Sequence, residues 1–266
     1  MISNPNNPQI RAVRKLRKRR ERDRRRAMLV EGHRALSVAM RTGCPVLELV
    51  HTADAAAKRG DMIREARSLG AKVLEVSPEV MASLTSVGTA PDVLGIVPIR
   101  EATLEEATRS FGLGTVLVGV HDPATAGAIL ASCAAAGGSV AIATTGTTDL
   151  FAPKPVRSAG GAHFLLRVIS GVDPATCADS LKAAGVRLVS VAPDGEDLAS
   201  SRWAEPVAVL IAEDGGLPEA LSQEPQERVR IGDPGAEIRP PLAAEAAVVL
   251  FEAVHRRRNG GGTGNG

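Results

Sequence analysis

Residues 115–130 decide the fold class of the chain, and they read Thr-Val-Leu-Val-Gly-Val-His-Asp-Pro-Ala-Thr-Ala-Gly-Ala-Ile-Leu. The first six residues predict a strand buried in a sheet, and residues 125–136 predict a helix that follows it after a short loop. Apolar runs alternate with amphipathic stretches on both sides of this segment, which is typical of an α/β protein. We therefore expect a mostly parallel sheet with helices on both faces and a ligand site at the carboxyl ends of its strands.

The same alternation divides the 266 residues into two regions. Two domains also agree with a usual domain length of roughly 150 residues. Strands are predicted over residues 28–30, 46–50, 72–76, 93–97, 115–120, 139–143, 186–191, 207–211 and 228–231. Helices are predicted over residues 34–41, 61–69, 78–84 (with Ser77 as its cap), 125–136, 175–184 and 242–258. The predicted organisation is one domain at 1–98, a charged linker at 99–114, a second domain at 115–258 and a disordered Gly-rich tail at 259–266.

Positive charge is concentrated near the amino terminus. Residues 11–26 hold eleven Arg or Lys against two acidic residues, a net charge of +9, whereas the whole chain carries +2 and the remainder therefore carries −7. Such a segment attracts phosphates by Coulomb steering and counterion release, and its Arg bias favours RNA because guanidinium groups fork onto phosphate oxygens. A solvated basic helix or a localisation signal is the alternative. Ile10, Val13 and Leu16 form an apolar stripe at helical spacing, which predicts a helix lying on the body of the protein.

Several classes of chemistry lack their sequence signatures. The chain has no P-loop, no dinucleotide-binding fingerprint, no H-E-x-x-H and no G-x-S-x-G, and its five His form no ligand cluster, so hydrolase and metal-dependent chemistry is not expected. Cys44, Cys133 and Cys177 are widely spaced and are expected to be reduced and buried. Aromatic residues make up 2%, which disfavours base stacking on an aromatic surface. No apolar window has the length of a membrane span and no signal peptide is evident, so a cytoplasmic protein is expected.

Three loops place Gly, Pro and a charged residue just beyond an apolar run, at residues 121–130, 151–164 and 211–218. Their polar groups that could contact a ligand are Asp122, Arg157 and Glu213. Taken alone, each loop is also compatible with an ordinary turn that carries a capping acid or an exposed Arg. The order and spacing of the three loops favour a ligand site.

These segments together resemble the SpoU (TrmH-like) branch of the SPOUT superfamily, which are RNA ribose 2′-O-methyltransferases, over nearly the whole chain. The Arg-rich helix after Asn7-Pro8 and the turn Leu29-Val-Glu-Gly-His-Arg34 are similar to the basic helix and the Val-Glu-Gly-x-Arg turn of that family's substrate-binding domain. Residues 89–97 resemble the segment that closes it. The resemblance implies an α/β protein with an N-terminal L30e-like α/β substrate-binding domain and a C-terminal SPOUT α/β domain with a deep trefoil knot. It also implies S-adenosylmethionine as cofactor, structured rRNA or tRNA as partner, and a homodimer formed through the C-terminal domain.

The second domain matches the family's catalytic motifs only in part. The first family loop reads Asp-Pro-Gly-Asn-x-Gly-x-Ile-x-Arg, and the positions that fit it are Asp122, Pro123, Gly127 and Ile129. Thr125 replaces the Asn, and Ala131 replaces the Arg that is the family's candidate for assisting deprotonation of the ribose hydroxyl. Residues 153–164 follow the middle family loop closely, with Ala159 in register with its Ser and Ser158 beside it. The last loop, Ser-Leu-Asn in the family, is Arg239-Pro240-Pro241 here, and its two prolines remove two backbone donors.

The resemblance assigns candidate roles to individual residues. The residues expected near the reacting ribose are Arg157, Glu213 and Ser158, with Arg157 as a replacement for the missing Arg. The residues expected to bind the cofactor are Ala212, Glu213, Gly216, Leu217, Ile231 and Leu242. The residues expected to contact RNA are Arg14, Arg17, Lys18, Arg19, Arg20, Arg24, Arg25, Arg34 and Asp122. No metal is expected.

Two functions remain open from the sequence. The first is an RNA 2′-O-methyltransferase, supported by the resemblance over the whole length and by the basic helix. The second is a knotted RNA-binding protein that has lost methyl transfer, supported by the departures at Thr125, Ala131 and the last loop. A weaker third possibility is a small-molecule binder, for which the basic helix would be dispensable.

Overall fold

The computed structural model describes residues 1–85, 89–201, 203, 206–213, 216–233, 235 and 238–260, with the backbone alone for 257–260. The chain forms two compact units. Unit 1 contains residues 1–99 and 151–164, and unit 2 contains residues 100–150 and 165–266. Element labels below follow chain order through both units.

Unit 1 contains a four-stranded sheet with the order β1-β4-β2-β3. Its strands are β1 (Ala27–Glu31), β2 (Glu48–His51), β3 (Lys72–Glu75) and β4 (Val93–Pro98). Its helices are α1 (Pro8–Lys15), α2 (Arg19–Arg25), α3 (His33–Arg41), α4 (Ala53–Lys58), α5 (Gly60–Ser68), α6 (Pro78–Leu84), α9 (Pro153–Ser158) and a 3₁₀ turn at Ala162–Phe164. β4 runs antiparallel to β1 and β2, whereas β2 and β3 are parallel.

The basic segment packs on unit 1 through its apolar stripe. Asn7 caps α1 by accepting a hydrogen bond from the backbone N–H of Gln9, and Pro8 occupies the first turn, where its missing N–H costs nothing. Ile10, Val13 and Leu16 are fully buried in one apolar cluster with residues of α6, so the predicted stripe is confirmed.

The helix predicted from this stripe corresponds to α1, and after a turn the basic segment continues in a second helix, α2, which the sequence analysis did not predict. Arg22 explains the turn: its side chain is almost completely buried, and its Nη1 donates to the backbone carbonyls of Leu16 (2.9 Å) and Arg17 (2.8 Å). The end of α1 leaves such carbonyls without helical partners, so a buried cation on the next helix stabilises the turn.

Unit 2 contains a six-stranded sheet with the order β10-β8-β9-β5-β6-β7, in which every neighbouring pair is parallel. Its strands are β5 (Leu113–Val118), β6 (Val140–Thr144), β7 (Arg167–Val172), β8 (Arg187–Asp197), β9 (Val207–Ala212) and β10 (Glu227–Arg230). Its helices are α7 (Leu104–Thr108), α8 (Pro123–Ala135), α10 (Pro174–Ala183), α11 (Glu219–Ser222) and α12 (Leu242–Gly260).

Helices cover both faces of this sheet. Val116, Ile142 and Leu210 form one apolar cluster with Cys177 and Leu181 of α10, and residues of α7 and α11 join it. The alternate strand residues, among them Leu117 and Ala141, are buried as well. Since successive strand residues point to opposite faces, a second layer must cover these, and α8 and α12 contact each other and the strands there. The predicted parallel sheet with two helical layers is confirmed.

The chain connectivity creates a switch in the middle of the sheet. From β5 the chain continues to β6 and β7 on one side, whereas β9, β8 and β10 lie on the other. β5 and β9 are therefore neighbours whose following loops diverge, and such switch points form ligand crevices outside the carboxyl ends of the strands.

The predicted elements correspond to observed ones, with most boundaries shifted by one to three residues, and α6 matches at both ends, with Ser77 as its cap. Several elements were not predicted, namely α2, α4, α7, α9, β7 and α11. The range assigned to a linker, 99–114, holds α7 and the beginning of β5. Of the predicted tail, residues 259 and 260 belong to α12, and residues 261–266 lie outside the described part of the chain.

The three cysteines are buried free thiols, as predicted. Burial raises the pKa of Cys133 and of Cys177 to about 12, so neither is a thiolate near neutral pH. Across the described residues, no helix combines the length and the apolar character that crossing a membrane requires.

Candidate active site

Glu213 links the loops that follow the neighbouring strands β9 and β5. It comes directly after β9, and its Oε1 accepts hydrogen bonds from the backbone N–H groups of His121 (3.1 Å) and Asp122 (3.5 Å). Its Oε2 lies 2.7 Å from Nδ1 of the His121 ring. One carboxylate thus joins two loops at the switch point of the sheet.

Hydrogen bonding sets the charge of Glu213. The bond from the His121 ring lowers the pKa of Glu213 most; burial opposes this shift, and the backbone N–H groups of His121 and Asp122 add to it. The net result is a pKa below the usual range for a glutamate, because all three bonds favour the ionised form. Glu213 is therefore a carboxylate at neutral pH.

Three adjoining clefts meet at Glu213. The first, of about 290 Å³, also contacts Ser190, Val191 and Arg228. The second, of about 270 Å³, lies over the ends of β5 and β6, between His121 and Thr145. The third, of about 350 Å³, extends to the start of α12. Small clefts that share one charged residue offer a small molecule apolar walls and a few polar contacts.

Five of the six residues predicted to bind a cofactor line these clefts. Ala212, Glu213, Gly216 and Leu217 line the first cleft, and Leu242 lines the third. Gly216 has a φ of +72°, a left-handed conformation that a residue with a side chain rarely adopts, so the close turn after Glu213 requires glycine. Ile231 lies in none of the three clefts.

Arg239 is a site residue that the sequence analysis did not assign. Its Nε and Nη2 donate to the two carboxylate oxygens of Glu245, each at 3.2 Å, and Arg239 lines both the first and the third cleft. The Glu245 side chain is 4% exposed, so this bidentate pair holds the guanidinium in place. The sequence carried a signal here, since an Arg stands where the family has a small polar residue.

Arg157 and Ser158, the other two predicted catalytic residues, lie on α9 in unit 1. Arg157 Nη1 donates to Oε2 of Glu31 at 3.0 Å, and the same oxygen accepts from Thr85 Oγ1 at 3.1 Å. Ser158 Oγ donates within its own helix, to the carbonyl of Lys154 at 2.9 Å. The ion pair thus joins the middle loop to the Val-Glu-Gly turn at the end of β1, a contact that the sequence analysis did not predict.

The predicted RNA-binding residues fall into two groups. Most are exposed, namely Arg17, Lys18, Arg19, Arg20, Arg24 and Arg34. Arg14 and Arg25 are half-buried: Arg14 donates to the Pro5 carbonyl, and Arg25 Nη2 lies 3.3 Å from Glu48 Oε1. A phosphate backbone can reach this exposed group, which contains five residues of the basic segment together with Arg34.

The beginning of α8 carries the last predicted RNA contact. Asp122 is exposed, and its Oδ2 caps α8 by accepting from the N–H (2.7 Å) and the hydroxyl (2.9 Å) of Thr125. Ala131, four residues after Gly127 on the same helix, presents no polar group. Among the described residues, no group of three or more His, Cys, Asp or Glu could hold a metal ion.

Two family models match the chain in succession. Residues 7–95 match the MRM3-like substrate binding domain. Residues 112–237 match the SpoU rRNA Methylase family. The two matches follow the same order as the two domains predicted from the sequence.

Proteins of known structure or function are similar over almost the whole chain. The AdoMet-bound rRNA methyltransferase from Sinorhizobium meliloti is 28% identical with a TM-score of 0.84, and the match covers 97% of both chains. The 23S rRNA (uridine(2479)-2′-O)-methyltransferase of Streptomyces viridochromogenes is 28% identical over 249 residues, 90% of this chain and 86% of that protein. The 23S rRNA (guanosine(2553)-2′-O)-methyltransferase of Bacillus subtilis is 23% identical over 252 residues, 94% of this chain and 97% of that protein.

Proposed function

We propose, from the premise that this chain belongs to the SpoU family of RNA methylases, that it is an S-adenosylmethionine-dependent RNA 2′-O-ribose methyltransferase. The relatives named above act on ribosomal RNA, which supports structured rRNA as its substrate. Transfer RNA remains a second possible substrate.

One observation carries this proposal: the residues that follow β9 meet the loop after β5 at the switch point of a parallel sheet. Ala212, Glu213, Gly216 and Leu217 line the first cleft there. Their mixture of apolar side chains and one carboxylate fits a cofactor with an apolar base and a charged amino-acid end. When bound, S-adenosylmethionine supplies an electrophilic methyl group.

The chain's own residues have separate tasks in this proposal. The first cleft holds the cofactor, with Leu242 of the third cleft as an outer contact. Ile231 is proposed as a cofactor contact from the family motif alone. Glu213 orders the loops around the reacting groups, because its three hydrogen bonds fix the beginning of the β5 loop. Arg157 and Ser158 are proposed to act near the ribose, and Asp122 to contact RNA.

The exposed residues of the predicted RNA-binding set are proposed to bind the RNA backbone, namely Arg17, Lys18, Arg19, Arg20, Arg24 and Arg34. We assign residues 1–98 to the RNA-binding domain and residues 115–258 to the methyltransferase domain, with a trefoil knot and a homodimer interface in the latter. A cytoplasmic location is part of the same proposal.

The test has two steps. Calorimetric titration with S-adenosylmethionine and S-adenosylhomocysteine is expected to give micromolar binding to the full chain. Methyl transfer to a 23S rRNA transcript made in vitro is then measured with radiolabelled cofactor, and the product is mapped as a site resistant to alkaline hydrolysis. The proposal is overturned if the protein is folded and binds RNA but binds neither S-adenosylmethionine nor S-adenosylhomocysteine.

A non-catalytic RNA-binding protein is the second candidate. Ala131 offers no polar group where the family has its Arg, and Pro240 with Pro241 removes two backbone donors at the edge of the third cleft. This candidate predicts RNA binding without cofactor binding, so the calorimetric titration separates the two.

A further inference from the structure

His121 and Glu213 form a hydrogen-bonded pair in the second cleft, and no role has been assigned to the histidine so far. Its ring Nδ1 lies 2.7 Å from Glu213 Oε2, while its backbone N–H donates to Oε1 of the same carboxylate at 3.1 Å. Glu213 therefore holds both the ring and the main chain of His121, which restricts the orientation of the imidazole.

The ionisation state of Glu213 determines the tautomer of this imidazole. An ionised carboxylate only accepts hydrogen bonds, so Nδ1 must carry the proton that it donates to Oε2. In the neutral ring Nε2 is then left with a free lone pair and acts as an acceptor. The same arrangement orients the histidine base of Ser-His-Asp hydrolases.

Nε2 can be reached by a substrate. The His121 side chain is 74% exposed, and Nε2 has no hydrogen-bond partner among the described residues. The cleft beside it is lined by Val118, Gly119 and Thr144, among others. Gly119 has a φ of +62°, which turns the chain sharply between β5 and His121.

We propose that His121 is the general base that accepts the proton of the ribose 2′-hydroxyl, and that Glu213 orients it for this role. The inference rests on the proposed methyltransferase function. In the step, the 2′-oxygen forms a bond to the methyl carbon and the carbon–sulfur bond breaks, with its electron pair passing to sulfur. The hydroxyl proton moves to Nε2 of His121 and is later released to water.

This assignment supplies a proton acceptor at a site where Ala131 replaces the Arg of the family motif. The alanine side chain cannot take a proton, and a guanidinium, such as the one Arg239 carries, is a hydrogen-bond donor without an acceptor atom. The charged groups that face His121 are Glu213, from the β9 loop, and Asp122, its neighbour in its own loop. Among the described residues that line the second cleft, no other has an ionisable side chain.

The substitution His121→Asn tests the inference. The Asn side-chain amide replaces Nδ1 as a donor to Glu213 but provides no base in the place of Nε2. His255→Asn, an exposed position on α12, is the matched control. The measurements are S-adenosylhomocysteine binding by calorimetry and single-turnover methyl transfer to the 23S rRNA transcript from pH 5.5 to 9.

The expected result is a rate at least about 100-fold lower for His121→Asn, with unchanged cofactor binding, because general base catalysis typically contributes 10²-fold or more. Because the step needs an unprotonated base, the wild-type rate is expected to rise with pH over part of this range, and the variant is expected to lack this rise.

Three other results overturn the inference and differ from one another. If the His121→Asn rate is within about threefold of wild type, or if its pH profile is unchanged, His121 is not the general base. The proposed methyltransferase function is not affected by that result. Loss of cofactor binding in the variant assigns His121 to the cofactor site instead. A wild-type protein that binds no cofactor or transfers no methyl group overturns the proposed function, and the inference with it.

Discussion

The basic helices α1 and α2 and the clefts around Glu213 use charge in opposite ways. In α1 and α2 most cations are exposed and close to one another, whereas the apolar stripe beneath them carries the packing. Around Glu213 the charged groups are held in specific pairs: Glu213 meets His121, 92 positions away in sequence, and Arg239 meets Glu245, six positions away. The first arrangement suits a diffuse anionic surface, and the second fixes a few groups for one small ligand.

The largest expected effect concerns the apolar support of the basic helices. Leu16→Ala removes a fully buried side chain from the cluster shared with α6, and we expect a loss of between about 2 and 5 kcal/mol in the free energy of unfolding. Urea denaturation measures this. Leu69→Ala, at a position 65% exposed, is the control and is expected to change stability by less than about 0.5 kcal/mol. If both substitutions change the free energy of unfolding equally, the packing of α1 against the cluster with α6 does not contribute to stability.

Charge reversal tests the exposed side of the same helices. The variant carries Glu in place of Arg17, Arg19, Arg20 and Arg24. We expect its affinity for structured RNA to fall by at least about 100-fold near 150 mM salt, and the salt slope to decrease by about 4 if each Arg contacts a phosphate. Fluorescence polarisation with a labelled RNA hairpin measures both quantities.

A second charge-reversal variant has the same net charge but leaves α1 and α2 intact. It carries Glu at four other exposed positions, Arg41, Arg64, Arg67 and Arg109. If it loses as much affinity as the first variant, net charge rather than the basic helices governs RNA binding. A complex whose affinity does not depend on salt would contradict the electrostatic account altogether.

A smaller effect is expected in the cleft region, where the charges are paired. Arg239→Ala leaves the buried Glu245 carboxylate without its bidentate partner, and we expect the free energy of unfolding to fall by about 2 kcal/mol, the size of a hydrogen-bond loss to a charged group, because Arg239 itself is half exposed. Arg256→Ala breaks the exposed pair with Glu252 on the same helix, which is expected to matter by less than about 0.5 kcal/mol. Thermal and urea denaturation compare the two variants. Equal decreases in the free energy of unfolding would show that the Arg239–Glu245 pair stabilises the protein no more than the exposed pair does.

The smallest effect is a pH dependence at Glu213. Its pKa is lowered in the folded protein, first of all by the hydrogen bond from His121, so its contribution to stability is present at neutral pH and disappears as the pH falls through that lowered value. We expect Glu213→Gln to be less stable than wild type at pH 7 and the difference to shrink toward pH 3. Urea titrations at several pH values measure it, and a difference that stays constant over this range would contradict the assigned hydrogen bonds.

Local patterns predicted most of the secondary structure. The stripe of Ile10, Val13 and Leu16 and the capped helix after Ser77 depend on neighbours within one or two turns, which a sequence displays directly. The turn between α1 and α2 was missed because no Gly or Pro marks it. It depends instead on the buried Arg22, whose partners are carbonyls at the end of the preceding helix.

The candidate site was predicted in its loops but not in its contacts. Family motifs pointed to Ala212, Glu213, Gly216 and Leu217, and the structure gathers these residues around one cleft. The same motifs could not show that Arg157 pairs with Glu31, since the two residues are 126 positions apart and each is an ordinary charged residue in its own segment.

The sequence by itself determined the charge distribution, the α/β alternation, the reduced cysteines and the family resemblance, because each of these follows from residue type and short spacing. Only the tertiary structure decided which cation meets which carboxylate. β9 lies beside β5 because of the strand order, and this adjacency brings Glu213 to His121 across 92 positions of sequence. Electrostatic effects depend on distance and exposure, so the chemistry of that pair exists only once the sheet has formed.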